Sequence, residues 1–251
     1  MNLILFEEFE IAQPLPHEDA RAKHILNVLR RSTGDDFDVG LIDGPKGKAI
    51  LQEVTPAGLV LDFRWGAAEP PLDPIDLIVG LSRPQTNRKI LQEATAIGLR
   101  RMLFVLTERA EPSYVASRLW TTGEYRRHLL AGVEQAFSTR LPQVEYGLSL
   151  QEALDEVKDL NAKYALDNYE YSVSMAQVQP QSGEAIALAV GSERGWTAKE
   201  RDMLRHAGFV LAGMGQRVLR TETAVIAALA LAKAALGAWS SLPENKPIGG
   251  E

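Results

Sequence analysis

Between a glycine loop and an apolar helix lie Arg217, Arg220, Thr221, Glu222 and Thr223, a dense run of side chains able to do chemistry. A guanidinium can stabilise a developing anion, and a carboxylate beside it can accept or orient a proton. The stretch before them, Phe209 to Ala212, reads as a short buried strand. It breaks on Gly213-Met214-Gly215, where a loop can bring its backbone close to a ligand. The helix expected from about Ala224 to Leu236 is almost wholly Ala, Leu, Ile and Val, so it must be buried on most sides. A polar cluster pinned between a buried strand and a buried helix is where an α/β protein places chemistry. The same residues have a structural explanation too: Thr221 and Thr223 as helix caps, the glycines as a turn, Arg220 and Glu222 as an ion pair.

Several familiar chemistries do not fit. Gly213 to Val218 begins like a dinucleotide fingerprint, but Val218 stands where the third glycine belongs. Lys233 stands about twenty residues beyond Gly213, where an acid would hold the ribose. Gly44-Pro45-Lys46-Gly47-Lys48 looks like part of a phosphate loop, yet Ile42 occupies the first glycine position and Ala49 the hydroxyl position. It reads as a hairpin turn. His17, His24, His128 and His206 have no metal-ligand spacing, so no metal is expected. The chain has no cysteine, which removes disulfides, thiolate zinc and a cysteine nucleophile.

The elements that must position the cluster come in two rhythms. Residues 1 to about 66 alternate short strands with tight turns: Leu3 to Phe6, Phe37 to Ile42, Ala49 to Val54 and Leu59 to Trp65, with a helix from Glu18 to Arg31 stopped by Gly34. That pattern suggests a small β-barrel. The linker Gly66 to Pro74 carries three prolines and marks the boundary, giving domains 1–70 and 71–242 and a flexible tail, 243–251. From Ile75 onward strands alternate with helices: Ile75 to Leu81, helix Asn87 to Ile97 closed by Gly98, Met102 to Leu106, helix Glu124 to Phe137, Tyr164 to Leu166 and Ala185 to Val190. Capping boxes at Ser149-Glu152 and Thr197-Glu200 open two more helices. The fold class is therefore α/β, a mostly parallel sheet covered on both faces. Ligands in such sheets bind beyond the carboxyl ends of the strands, and two glycine loops sit there: Gly191 to Gly195 and Gly213 to Gly215.

A net charge of −6 speaks mildly against nucleic acid, but distribution matters more than the total. Arg21, Lys23, Arg30 and Arg31 form a basic stretch without an acid between them, suited to phosphate contact. Arg83, Arg88, Lys89, Arg100, Arg101 and Arg109 form a second, diluted by Glu93 and Glu108. The acidic N-terminus lacks the basic region of a signal peptide, and the Ala-rich helix is too short to span a bilayer comfortably. A cytoplasmic protein without membrane contact is expected. The apolar circumference of that helix, more than one sheet face consumes, predicts a homodimer.

The motifs carry a resemblance. Lys23-His24-Ile25-Leu26-Asn27-Val28-Leu29-Arg30, Ala94-Thr95-Ala96-Ile97-Gly98, Thr107-Glu108-Arg109, Glu134-Gln135, Arg140-Leu141-Pro142 and Gly213 through Leu219-Arg220-Thr221-Glu222-Thr223-Ala224 together resemble the RsmE family. These are 16S ribosomal RNA methyltransferases that methylate uridine N3 using S-adenosylmethionine. The resemblance runs nearly the whole length. It implies a SPOUT-type domain with a deep trefoil knot, an exception to unknotted chains, working as a homodimer and preceded by a PUA-like RNA-binding barrel. It implies S-adenosylmethionine held by Leu188, Gly191, Gly195, Gly213, Met214, Gly215, Val218 and Leu219, with Arg30 helping to hold RNA. Arg220 and Glu222 remain the candidate catalytic pair, Glu222 as base or orienter. The chain departs from the family's usual Gly-Pro-Glu-Gly-Gly at Gly191-Ser192-Glu193-Arg194-Gly195 and from its usual glutamate at Ala96. A sibling enzyme with another RNA target and a noncatalytic ribosome-assembly protein on the same fold are the alternatives.

Overall fold

The computed structural model describes residues 3–181 and 183–240; the tail expected at 243–251 lies outside them. The elements in chain order are β1 (Ile4–Phe6), α1 (Ala20–Lys23), β2 (Asp36–Leu41), β3 (Lys46–Thr55), β4 (Gly58–Trp65), β5 (Asp73–Gly80), α2 (Pro84–Ile97), β6 (Leu99–Leu106) and α3 (Arg118–Thr121). Then follow α4 (Tyr125–Gln135), β7 (Gln143–Ser149), α5 (Leu150–Glu156), β8 (Ala162–Leu166), β9 (Val173–Ser174), β10 (Ile186–Val190), α6 (Ala198–His206), β11 (Val210–Gly213) and α7 (Thr221–Ala235). They form two compact units, Met1–Leu72 with Arg126–Leu141, and Asp73–Tyr125 with Pro142–Glu251.

In the first unit β1 runs parallel to β2, and β2, β3 and β4 are antiparallel, in the order β1-β2-β3-β4. The sheet is open: among the described residues no ladder joins β1 to β4. It curls instead around Ile4, Phe6, Ile25, Phe37, Val39 and Leu59, helped by a bulge between Leu51 and Glu53. Phe6 meets Phe63 edge-on across the gap, ring centres 5.0 Å apart. The single helix expected from Glu18 to Arg31 is shorter and mixed. α1 is capped by the Asp19 carboxylate, which accepts from the Arg21 N–H at 2.8 Å, and continues as a π-helical turn, His24–Val28. Arg30, not Gly34, ends it: its φ of 53° is left-handed, and the Arg31 N–H closes on the Ile25 carbonyl at 3.0 Å.

Residues 126–141 complete this unit. Val133 and Leu130 of α4 cover Leu3 and Leu5, on the side of β1 away from the curled interior. Arg140 donates to the Asp43 carbonyl at 2.8 Å, and the Leu141 N–H donates to the Asp43 carboxylate at 2.9 Å. The Arg140-Leu141 motif thus fastens a chain segment to the turn between β2 and β3.

The second unit is a seven-stranded parallel sheet in the order β7-β6-β5-β10-β8-β11-β9. β10 is a continuous apolar run, as a strand covered on both faces must be, and β5 is buried from Ile75 to Gly80 with one charge among its apolar residues, Asp76, which pairs with Arg100 and Arg101. Ile78, Leu103, Val105, Ala189 and Leu211 pack against Leu154 and Leu204 on one side. α7 packs on α2 and β10. Both expected capping boxes form, and Gly98 closes α2 with φ 87°. Lys233, anomalous in an apolar helix, is buried because its ammonium donates to the Ile97 carbonyl and pairs with Asp73, each at 2.5 Å. The insertion of β10 between β5 and β8, with β11 beyond β8, is the arrangement that builds the site.

Candidate functional site

Because β10, β8 and β11 are neighbours and parallel, the loops leaving their carboxyl ends come together. They enclose a cleft of about 770 Å³ with the first turns of α2 and α7, within the range of small-molecule sites. Of the residues expected from sequence, Gly191, Gly195, Met214, Val218, Leu219, Arg220 and Glu222 line it. Leu188, Gly213 and Gly215 do not. Leu188 is fully buried within β10, opposite Leu77 and Tyr164.

Each glycine has its own reason. A Cβ on Gly191 would meet Gly195 Cα at 3.0 Å, so the loop folds tightly upon itself. Gly195 is left-handed, φ 64°, and its N–H closes the turn on the Ser192 carbonyl at 2.8 Å. A Cβ on Gly213 would lie 2.5 Å from the Tyr171 ring, so its constraint is the protein rather than a ligand. Gly215 faces open space and is required by its φ of 89°. Gly80, absent from the residues expected from sequence, is the tightest of the group. Its Cβ would sit 2.3 Å from the Ser192 N where β5 passes under the 191–195 loop. The only signal for it was a glycine closing an apolar strand.

The departures in that loop are accommodated. Ser192 is buried, its hydroxyl 3.4 Å from that of Thr107, and the Glu193 carboxylate accepts from the Arg83 N–H at 3.0 Å. The Arg194 carbonyl accepts from the Arg109 guanidinium at 3.1 Å, and the Arg194 residue is exposed.

At the start of α7 the cap residue is Arg220, and its side chain makes no capping bond. Thr221 is buried at the first helical position and Thr223 is exposed, so neither is the helix cap that would have explained them away. The uncapped N–H groups give this end of the cleft a preference for negative charge. Glu222 lies at the second position, 3.3 Å from the Lys89 ammonium of α2. A hydrogen bond to its own backbone N–H, with Lys89 next, holds its carboxyl below the usual range. Arg83, Arg217 and Arg220 also line the cleft, and their side chains make no ion pair among the described residues. Glu222 pairs with Lys89, and among the described residues no group of three or more His, Asp and Glu side chains is placed to hold a metal.

In the first unit Lys23, Arg30 and Arg31 are exposed, but Arg21 is not free. It pairs with Glu10 at 2.6 Å and Asp19 at 2.7 Å and lies over the Phe6 ring at 4.9 Å. Its acidic partners lie just outside the stretch that looked uniformly basic.

Residues 68–233 match the family model of the RNA methyltransferase domain. The ribosomal RNA small subunit methyltransferase E of Treponema pallidum is 34% identical over 248 residues, covering 95% of this chain and 93% of the relative. The ribosomal RNA small subunit methyltransferase E 1 of Borreliella burgdorferi is 29% identical over 230 residues, 91% and 95% of the two chains. In structure, the Neisseria gonorrhoeae ribosomal RNA small subunit methyltransferase E bound to S-adenosyl methionine superposes with a TM-score of 0.73 at 27% identity, over 93% of this chain and 97% of that one. With its strand-end cleft and its Leu219–Ala224 motif both in place, the chain belongs to the RNA methyltransferase family and, within it, to ribosomal RNA small subunit methyltransferase E.

Proposed function

We propose that this protein methylates N3 of a uridine in 16S ribosomal RNA, with S-adenosylmethionine in the cleft at the ends of β10, β8 and β11. The observation that carries the reading is the meeting of Arg220 and Glu222 with the glycine loop 191–195 in one cleft of sufficient volume. The residues fit the cofactor: backbone of Gly191 and Gly195 approaches without Cβ atoms, and Val190, Leu166 and Ala212 offer apolar wall. The trefoil knot belongs to this reading, with the cofactor loops as its strands of crossing chain. So does a homodimer through Ile226, Ala227, Ala230 and Leu231, which α7 leaves partly exposed.

When bound, S-adenosylmethionine supplies an electrophilic methyl on a sulfonium leaving group. The N3–methyl bond forms as the sulfur–methyl bond breaks, and the N3 proton is lost. Arg220 stabilises the uridine anion that precedes attack. Glu222, held below the ordinary carboxylate range, is a poor proton acceptor toward so weak an acid. It serves as an orienter of the base and of Arg220, with solvent taking the proton. Lys23, Arg30 and Arg31 of the first unit hold RNA phosphates, and Arg83 and Arg217 do the same at the cleft of the second.

Calorimetry with S-adenosylmethionine, then mapping of methylated nucleotides in 16S RNA from a deletion strain with and without the gene restored, tests the reading. Absence of cofactor binding leaves a ribosome-assembly role. A restored mark on another nucleotide or RNA makes the protein a sibling enzyme, the outcome that Ser192, Arg194 and Ala96 bear on.

A further inference from the structure

The loop after β8 has a task that the cofactor cleft alone does not explain. Asp167 is buried, and one of its carboxylate oxygens accepts from the N–H groups of Tyr169 and Glu170, both at 2.7 Å. The other accepts from Arg201 Nε at 2.9 Å. The loop is also stitched to β11 at both ends: the Asp167 N–H donates to the Ala212 carbonyl at 3.1 Å and the Ser172 N–H to the Leu211 carbonyl at 3.0 Å. So rigid a loop nonetheless holds Tyr169 with 80% of its surface exposed, at the lining of the cleft. Its ring gains almost nothing from burial. The Arg201 guanidinium, itself buried, lies 5.7 Å from the ring centre and backs the ring from the protein side. From the loop after β11, Val218 lines the same cleft and is 79% exposed.

We propose that Tyr169 is the stacking platform for the nucleobase presented for methylation, which enters the cleft between the loops carrying Tyr169 and Val218. This rests on the methyltransferase reading above and adds to it the residue that receives the base. An aromatic ring on a fixed loop accepts any base face without reading its edge, at small cost in side-chain freedom. Edge recognition is left to Arg220 and Glu222 at the start of α7. On that reading the cofactor would lie against Gly191, Gly195 and Ala212, which line the cleft, whereas the Tyr169 ring is left 80% exposed for the base.

The test uses the full chain, S-adenosylmethionine and 16S RNA particles from a strain lacking the methylation. Tyr169→Ala should raise the RNA concentration at half-maximal single-turnover rate by roughly 5- to 100-fold. Tyr169→Phe should stay within about twofold of wild type, since the ring rather than the hydroxyl stacks. Cofactor affinity and melting temperature should be unchanged in both. A 16S transcript carrying 5-iodouridine, irradiated on the wild-type protein, should cross-link at Tyr169. Loss of cofactor affinity in Tyr169→Ala would overturn the proposal by assigning the ring to adenine. An unaltered RNA dependence, or a fall in melting temperature in both variants, would overturn it as well. If wild-type protein neither binds the cofactor nor methylates the particles, the underlying reading fails and this one with it. If it does both while Tyr169→Ala matches it, this one fails alone.

Discussion

The Lys89 ammonium stands 3.3 Å from the Glu222 carboxylate and joins the second turn of α2 to the first turn of α7 across the cleft. Lys89 is largely exposed and Glu222 mostly covered, so the pair positions the carboxylate more than it stabilises the fold. Glu222→Gln should lower single-turnover methylation about tenfold and Arg220→Ala about 100-fold at saturating RNA. Lys89→Ala should move the Glu222 pKa upward, because one of the groups holding it down is gone. The acid limb of the rate profile should then shift to higher pH, and a profile identical to wild type would exclude Glu222 from the reaction.

The glycines of the site should respond differently to the same insult. Gly80→Ala forces a methyl group against the Ser192 N, which is backbone and cannot step aside. Cofactor affinity should fall more than tenfold, with a stability loss of about 1–3 kcal/mol. Gly213→Val collides first with the Tyr171 ring, so lost stability should precede lost affinity. Gly215→Asn should be tolerated far better than Gly215→Val, since Asn accepts a left-handed backbone and a β-branched residue does not. Calorimetry and melting curves on the four variants check the order.

Arg21 and Arg30 should separate fold from RNA. Glu10 and Asp19 are both held below the ordinary carboxylate range, first by hydrogen bonds to Arg21. Their contribution to stability is therefore full above about pH 4 and lost as pH falls through the lowered values. Arg21→Ala should cost about 1–3 kcal/mol near neutral pH and converge on wild type in acid, as measured by denaturant unfolding at each pH. Replacing Arg30 and Arg31 with Ala should leave stability and cofactor affinity alone. It should weaken RNA binding and reduce the slope of log affinity against log salt by about 0.7 to 0.9 for each phosphate no longer neutralised.

The partly exposed apolar side of α7 should be covered by a second chain. Sedimentation at micromolar concentration should show twice the 27.6 kDa chain mass. Leu231→Asp should shift the protein to the single-chain mass, because a carboxylate cannot be buried unpaired. A wild-type protein sedimenting only as the single chain would remove the dimer.

Much of the fold was legible because its signals are local. Capping boxes at Ser149 and Thr197, the left-handed cap at Gly98 and the apolar runs of β5 and β10 each name their element without tertiary help. β7 was missed because it is an edge strand, mostly wet, with no clean alternation to read. The site was half legible. Glycines and the Arg220–Glu222 cluster announce a ligand loop, yet Lys89, Asp167 and Tyr169 reach the cleft, and Gly80 comes under its 191–195 loop, only because β10 inserts beside β5 and β8. Strand order is not written in any one segment. The pairing of Arg21 was hidden for the same reason, since Glu10 comes to it only through the fold.

The first unit is threaded from two stretches of chain, and this sets a schedule for its birth. A ribosome that has released only the leading 72 residues has delivered β1 with Leu3 and Leu5 still uncovered, and the Asp43 turn still unfastened. Val133, Leu130 and Arg140 arrive only after β5, α2 and β6 have been made. The N-terminal unit is therefore first to be synthesised but cannot be first to finish. A fragment cut at the proline-rich linker should behave as an unfinished protein, prone to aggregate through that bare apolar face.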